Sequence, residues 1–223
     1  MNTHDFTLAG AALSACSTGA LWWAEKSVLV VSDLHLGKSE RIARLGGAML
    51  PPYETRDTLA RLDAEIEALS PKTVICLGDS FDDDFAARAL SEEMSLWLTR
   101  MMAGRHWIWI EGNHDPGPVD LGGTHLAELP IPPLTFRHIA KPGASGEVSG
   151  HYHPKASLNA RGHTLSRPCF LFDSDRVIMP AFGTYTGGLR SNSPDLSRLM
   201  RPETLAILIG RSTQVIPMPG RAS

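Results

Sequence analysis

The chain has only three cysteines, Cys16, Cys76 and Cys169, and no two of them stand in a C-x-x-C spacing. So few scattered thiols exclude a disulfide framework and a structural zinc knot; they read as reduced, mostly buried cysteines of a cytoplasmic protein. No extended run of lysine or arginine is present. The net charge of -3 and pI near 6.3 leave no global electrostatic footprint for nucleic acid. A local basic groove remains open. No apolar stretch approaches the ~20 residues that cross a bilayer, so no membrane partner is expected. Leu13-Ser14-Ala15-Cys16 imitates a lipoprotein cleavage box, but Met1 to Phe6 holds Asp5 and neither Lys nor Arg. The positive start of a secretory signal is missing, and the segment reads as an edge strand with its turn.

What is present suits a soluble globular chain: 223 residues, 43% hydrophobic and 20% charged, enough for one domain spanning 1–223 with a sizeable core. Four short clusters recur along it: Asp33-Leu34-His35-Leu36-Gly37, Gly78-Asp79-Ser80-Phe81-Asp82, Gly112-Asn113-His114-Asp115 and Gly150-His151-Tyr152-His153. Each supplies carboxylate, amide or imidazole groups beside glycine, at the end of an apolar run. Hard oxygen donors with neutral imidazoles suit Mn, Fe, Zn or Ni. One such cluster is weak evidence; four in order are strong.

The runs between them alternate in type. Gly19–Trp23 and Ser27–Ser32 read as a hairpin, and Val28-Leu29-Val30-Val31 is apolar on both faces like a central strand. From Thr55 to Leu69, the residues Leu59, Leu62, Ile66 and Leu69 fall on one helical stripe that Pro71 stops. Thr73–Leu77 is a strand; Leu90, Met94, Trp97, Leu98 and Met101 mark a helix closed by Gly104; His106–Ile110 is a strand. Polar clusters at the C-terminal ends of strands are where α/β sheets assemble ligand sites. After Gly122 the pattern predicts short strands at Leu134–His138, Glu147–Ser149, Cys169–Phe172 and Val177–Met179. Leu129-Pro130-Ile131-Pro132-Pro133 reads as a surface connection between two packed sheets.

Spacing gives these groups a shared target. Asp33 and His35, two apart on an extended segment, point to one side, and His151 and His153 repeat the device. Asp79, flanked by Gly78 at a tight turn, is placed to bridge two cations, and Asn113 ligates without adding charge. Two filled metal sites need one more imidazole. His138 ends a strand-like run; His125, after Gly122-Gly123, competes with it. His4, His106 and His163 have no ligand context and read as ordinary surface or packing histidines.

These motifs, D-x-H, G-D-x-x-D, G-N-H-D, a lone His and G-H-x-H, resemble those of the calcineurin-like metallophosphoesterases. The resemblance implies a four-layer α/β (α+β sandwich) fold, with two packed mixed β-sheets flanked by helices. It implies two divalent cations, most readily Mn2+. One is held by Asp33, His35, Asp79 and His153; the other by Asp79, Asn113, His138 and His151. The residue matching His114 works on the substrate. Leu36-Gly37-Lys38-Ser39-Glu40-Arg41, Pro51-Pro52-Tyr53-Glu54-Thr55 and Pro180 to Gly188 are similar to one bacterial subfamily, the ligase-associated DNA damage response endonucleases. That likeness implies a DNA substrate, and functional association with an ATP-dependent DNA ligase, an exonuclease and a helicase.

Two cations about 3.5–4 Å apart clamp the attacking and leaving oxygens of an in-line displacement at phosphorus. His114 then protonates the leaving oxygen, with Asp115 either orienting that imidazole or merely serving a turn. Lys38 and Arg41, three apart on a helix, either contact phosphate or form a solvated face, as does Arg44. Tyr185 among its glycines belongs to a base-stacking loop or to a plain tight turn. The expected activity is phosphodiester hydrolysis on DNA. A small nucleotide or other phosphoester is the alternative substrate, and a noncatalytic metal-binding scaffold is the third reading.

Overall fold

The computed structural model describes residues 2–46, 53–115, 117, 121–160 and 163–218; Pro51 and Pro52 of the flanking segment lie outside them. Strands β1 (Thr3–Leu8), β2 (Ala11–Cys16), β3 (Leu21–Trp23) and β4 (Val28–Val31) run antiparallel in order, with a 3-10 turn at Ala24–Lys26 joining the last two. Helix α1 (Lys38–Arg44) and helix α2 (Glu54–Leu69) follow. Strand β5 (Thr73–Leu77), helices α3 (Asp84–Ala89) and α4 (Glu92–Met102), and strands β6 (His106–Ile110) and β7 (Thr124–Leu126) complete this half. The strands β4 to β7 are parallel neighbours, which makes the first sheet seven-stranded and mixed.

The second sheet holds β8 (Glu128–Ile131), β9 (Leu134–Arg137), β10 (Glu147–Ser149), β11 (Lys155–Ala160), β12 (His163–Phe172), β13 (Arg176–Ile178), β14 (Leu205–Leu208) and β15 (Gln214–Pro217). Its path is β15-β14-β12-β13-β10-β9-β8, with β11 paired to β12; β10 lies parallel to both β9 and β13. Helix α5 (Pro194–Leu199) covers its outer face, started by the side chain of Ser193 accepting from the Leu196 N–H.

The period-2 alternation of strands divides the apolar residues between layers. Val28, Val30, Ile75, Leu77 and Ile110 point inward against Phe136, Val148, Phe170, Val177 and Ile207 of the facing sheet. Leu29, Val31, Val74 and Cys76 point outward under Leu59, Leu62 and Ile66 of α2 and Leu98 of α4. Leu171, Ile178 and Leu208 meet Leu196 of α5 on the far side. The result is four layers, helix, sheet, sheet and helix, as the resemblance implies. Burying a Leu, Ile or Val in such a core contributes about 1.5–3 kcal/mol, so three stacked cores hold the strand ends rigidly.

Two local expectations change. Leu129–Pro133 overlaps edge strand β8, which pairs with β9 from Glu128 to Ile131, Pro130 included, because an edge strand tolerates a residue with no N–H to donate. Strand β12 begins at His163, six residues before the apolar run starts. Its first half pairs only with β11 and so carries polar residues.

Candidate metal centre

The four motifs converge beyond the strand ends. The D-x-H segment leaves β4 but does not stay extended: Asp33, His35 and Gly37 alternate into the left-handed region, with φ of 53°, 46° and 80°. Side chains still gather on one side, through a zipper of main-chain bonds that extends the sheet. Asp33 N–H donates to Gly78 O at 3.2 Å, His35 N–H to Asp79 O at 2.9 Å and Leu36 N–H to Ser80 O at 3.0 Å. Asp79, His151 and His153 are also left-handed, at 46°, 69° and 45°. Among the described residues, five of the nine non-glycine positions with positive φ therefore carry the chemistry of the motifs. Such strain costs on the order of 1–3 kcal/mol each and marks functional sites. Gly78 is required by contact: a Cβ there would sit 2.4 Å from the His138 ring.

Two clusters form. Asp33, His35 and His153 make the first; Asp79, His138 and His151 make the second, with the donor atoms of each within 4.8 Å of one another. In the first cluster, Asp33 Oδ2 accepts from Ser32 Oγ at 2.5 Å and from His151 N–H at 3.0 Å, which leaves Oδ1 aimed inward. Asp33 Oδ1, His35 Nε2 and His153 Nε2 are buried without a hydrogen-bond partner, although the first and last lie 3.0 Å apart. A fold leaves three such polar atoms converging only where something else satisfies them.

The second cluster makes the point chemically. His138 Nδ1 faces Leu77 O at 2.9 Å, and a carbonyl only accepts, so Nδ1 carries the proton. Nε2 then presents its lone pair to Asn113 Oδ1 at 3.0 Å, His151 Nδ1 at 3.2 Å and Asp79 Oδ2 at 3.3 Å. Acceptors facing acceptors fit a cation. In place of a cation, a second proton on Nε2 would do the same work: burial opposes a charge on His138, but the Asp79 carboxylate against it and the Asp33 charge win, raising the imidazole to about 9. The protein has built a place for positive charge. Both clusters fit divalent cations held by oxygen and imidazole.

Asp82, to which the sequence alone assigns no role, organises the surroundings. Its Oδ1 meets His35 Nδ1 at 2.8 Å and so turns His35 Nε2 toward the first cluster, the carboxylate–histidine device of metal sites. Lys38 Nζ lies 3.5 Å from Oδ1, and Arg41 Nη1 3.1 Å from Oδ2. Burial would lift the Asp82 carboxyl, yet the His35 hydrogen bond and the Lys38 charge hold it at about 2. The signal was the second Asp of the G-D-x-x-D spacing. Ser32, the brace of Asp33, carried no comparable signal.

His114 sits beside both clusters. Its N–H donates to Asp79 Oδ1 at 2.9 Å, its ring lies 5.3 Å from that of His35, and its Nδ1 faces the main-chain oxygen of Asp82 at 3.1 Å. That carbonyl, and not Asp115, orients the imidazole and frees Nε2. Asp115 instead accepts from Ser80 N–H at 2.7 Å and Phe81 N–H at 3.2 Å, so it serves the turn. Burial pushes its carboxyl up to about 6 against the pull of those amides, and the nearby Asp79 charge adds to the rise. Lys38 and Arg41 both lie on α1, as a pair tied to Asp82. Arg44 pairs with Asp83 at 2.5 Å. His125 stands apart from both clusters, its ring stacked on Trp109 with centroids 6.3 Å apart. Tyr185 is on a loop whose neighbours touch Asp33 and His153.

The comparisons bear on the same residues. The family model for the calcineurin-like phosphoesterases matches residues 26–175, a span that holds all four motifs and His138. No curated protein matches the sequence. The crystal structure of the Pseudomonas putida nuclease MPE is similar, with a TM-score of 0.77 and 29% identity over 96% of this chain and 100% of that one. Among the described residues no helix is long and apolar enough to cross a membrane. Paired clusters at the strand ends of a four-layer sandwich are what that family uses to hold two metals, and the chain belongs to the calcineurin-like phosphoesterases, metal-dependent hydrolases of phosphoester bonds.

Proposed function

We propose that the chain is a manganese-dependent DNA endonuclease of bacterial DNA repair. The observation that carries this reading is the convergence of two clusters of buried, mutually facing acceptors on a fold shared with a nuclease. Asp33, His35, Asp79 and His153 would hold one cation; Asp79, Asn113, His138 and His151 would hold the other. When bound, the pair supplies Lewis acidity and an activated water for in-line attack on a phosphodiester.

The remaining work belongs to the chain. Asp79 contributes charge to both sites while the His114 N–H fixes its orientation. His114, its Nδ1–H held by the Asp82 carbonyl, would act in its doubly protonated form, giving the Nε2 proton to the leaving oxygen and ending as the neutral Nδ1–H ring. Lys38 and Arg41 keep Asp82 ionised, and from α1 their remaining N–H groups reach toward a phosphate. Cytoplasmic repair, with an ATP-dependent ligase, an exonuclease and a helicase as functional associates, follows from the flanking segments that resemble the ligase-associated endonucleases.

A second reading keeps the chemistry and changes the substrate to a small nucleotide or other phosphoester. It is favoured by the ion pairs that occupy the basic groups of α1. Purified protein with Mn2+ is to be assayed on single-stranded DNA, duplex DNA and bis(p-nitrophenyl) phosphate. Metal-dependent nicking of DNA supports the endonuclease. Hydrolysis of the small diester with intact DNA supports the second reading.

A further inference from the structure

We propose that Tyr53 and Tyr185 form a paired aromatic platform at the rim of the metal centre that stacks on a nucleobase beside the scissile phosphodiester. The inference rests on the nuclease reading above and adds the group that the rim recognises. Both side chains are unusually open for large rings, 55% and 36% exposed, and they face each other with centroids 6.1 Å apart and planes tilted by 53°. A core has no use for them there.

The loop bearing Tyr185 is bound to the metal-site segments at both ends. Phe182 N–H donates to Ser32 O at 2.8 Å and Gly183 N–H to Asp33 O at 3.1 Å. At the other end, Leu189 N–H donates to Tyr152 O at 3.1 Å, between His151 and His153. Gly188 passes so close to His153 that a Cβ would lie 2.1 Å from its carbonyl oxygen. Consecutive Cα atoms are ~3.8 Å apart, so Tyr185 stands within about 8 Å of a residue bonded to Asp33. A base next to a phosphate held at the metals would be the group this loop meets.

The loop is also stiff. Arg61 Nη2 donates to Phe182 O at 2.7 Å and to Thr184 Oγ1 at 3.0 Å, Thr184 N–H donates to Thr58 Oγ1 at 3.1 Å, and Lys155 Nζ reaches Thr186 O at 3.3 Å. Tyr185 itself is held at a φ of 61°, a conformation that a plain turn would give to glycine. A surface aromatic kept in a strained, multiply anchored position is preorganised for contact. The ligand class follows from chemistry. Lys38 and Arg41 lie beside the first cluster through Asp82, and Arg61 and Lys155 are bonded to the loop itself, so what the rim leaves exposed at Tyr53 and Tyr185 is two neutral π-faces, and every base has a π-face to match.

The test uses the full chain with Mn2+ and two oligonucleotides of the same length: one of normal sequence, and one whose bases next to the cut are replaced by stable abasic residues. Tyr185→Ala and Tyr53→Ala are expected to raise KM on the normal oligonucleotide by roughly five- to a hundredfold, the usual loss per stacked base, while Tyr185→Trp retains wild-type KM. On the abasic substrate wild type should lose its advantage and match the alanine variants, since the same contact is deleted from the other side. An equal advantage on both substrates would show that the tyrosines only support the fold of the centre, and overturn the platform. No change in KM on the normal oligonucleotide would also overturn it, with the nuclease reading intact. Wild type that hydrolyses bis(p-nitrophenyl) phosphate but cuts neither oligonucleotide would overturn the nuclease reading, and the platform with it.

Discussion

The two clusters lie side by side, Asp33 Oδ1 only 3.9 Å from His138 Nδ1, yet they are braced by different means. The first leans mostly on side chains: Ser32 Oγ shares the orienting of Asp33 with the His151 N–H, and the Asp82 carboxylate alone orients His35. The second hangs on the main chain: Leu77 O fixes His138, and the His114 N–H fixes Asp79. A main-chain carbonyl survives any substitution and a main-chain N–H any but proline, whereas a carboxylate is lost to most. The first site is therefore the tunable one and the second the fixed one.

The largest effect is expected where the difference vanishes. Asp79 would serve both cations, so Asp79→Asn should remove charge from both sites together. Turnover is expected to fall by at least about 10³-fold, and metal analysis should find less than the full pair bound. Two metals retained with normal turnover would show that the clusters work independently of this carboxylate.

Next comes His114, which touches both sites without belonging to either cluster. His114→Ala should leave two cations bound and lower kcat by about 10²–10⁴, the usual cost of a lost general acid. The loss should be smaller for bis(p-nitrophenyl) phosphate, because p-nitrophenolate leaves without help, and larger for DNA, whose alkoxide does not. Equal loss on both substrates would move His114 from proton transfer to positioning of the phosphate.

The contrast between the clusters also explains what could be read from the sequence. Ligand types and their order are written locally as D-x-H, G-D-x-x-D, G-N-H-D and G-H-x-H, and the strands that present them are apolar runs. The left-handed turns at Asp33, His35, Asp79, His151 and His153 were not legible, because their strain is repaid by main-chain bonds between segments far apart in sequence. The same holds for Asp115 and Asp82. Adjacency to His114 suggested a partner that the fold places elsewhere, and the partner it does use is a main-chain oxygen 32 residues upstream. Edge strand β8 and the outer half of β12 are illegible in the sequence for another reason. Neither is buried on two faces, so neither carries the apolar signature of a strand.

Asp82→Asn tests the tunable site directly. It keeps the volume and the main-chain oxygen that holds His114, but weakens the acceptor that orients His35. Metal affinity at the first cluster should drop by about 10–100-fold, as is typical for an outer-shell partner, with the second cluster unaffected. Stepwise metal titration by calorimetry separates the two sites. Equal weakening of both would show that the bracing difference has no energetic consequence.

The smallest effect belongs to the cations that hold Asp82. Lys38 and Arg41 are each partly exposed, 20% and 33% at the side chain, so each ion pair is screened by solvent and worth about 0–1 kcal/mol. If their work is to keep that carboxylate in place, Lys38→Ala and Arg41→Ala should each weaken metal binding at the first cluster by no more than about fivefold, leaving KM for DNA nearly constant. Contact with phosphate gives a different signature. Each cation lost from a nucleic-acid backbone site reduces the dependence of log K on log salt by about 0.7 to 0.9, whatever the metal load. Measuring DNA binding over a salt series for wild type and both variants therefore reads the two roles separately. An unchanged slope with weaker metal binding makes α1 a brace of the tunable site. A shallower slope with metal binding unchanged makes it a wall of the substrate groove.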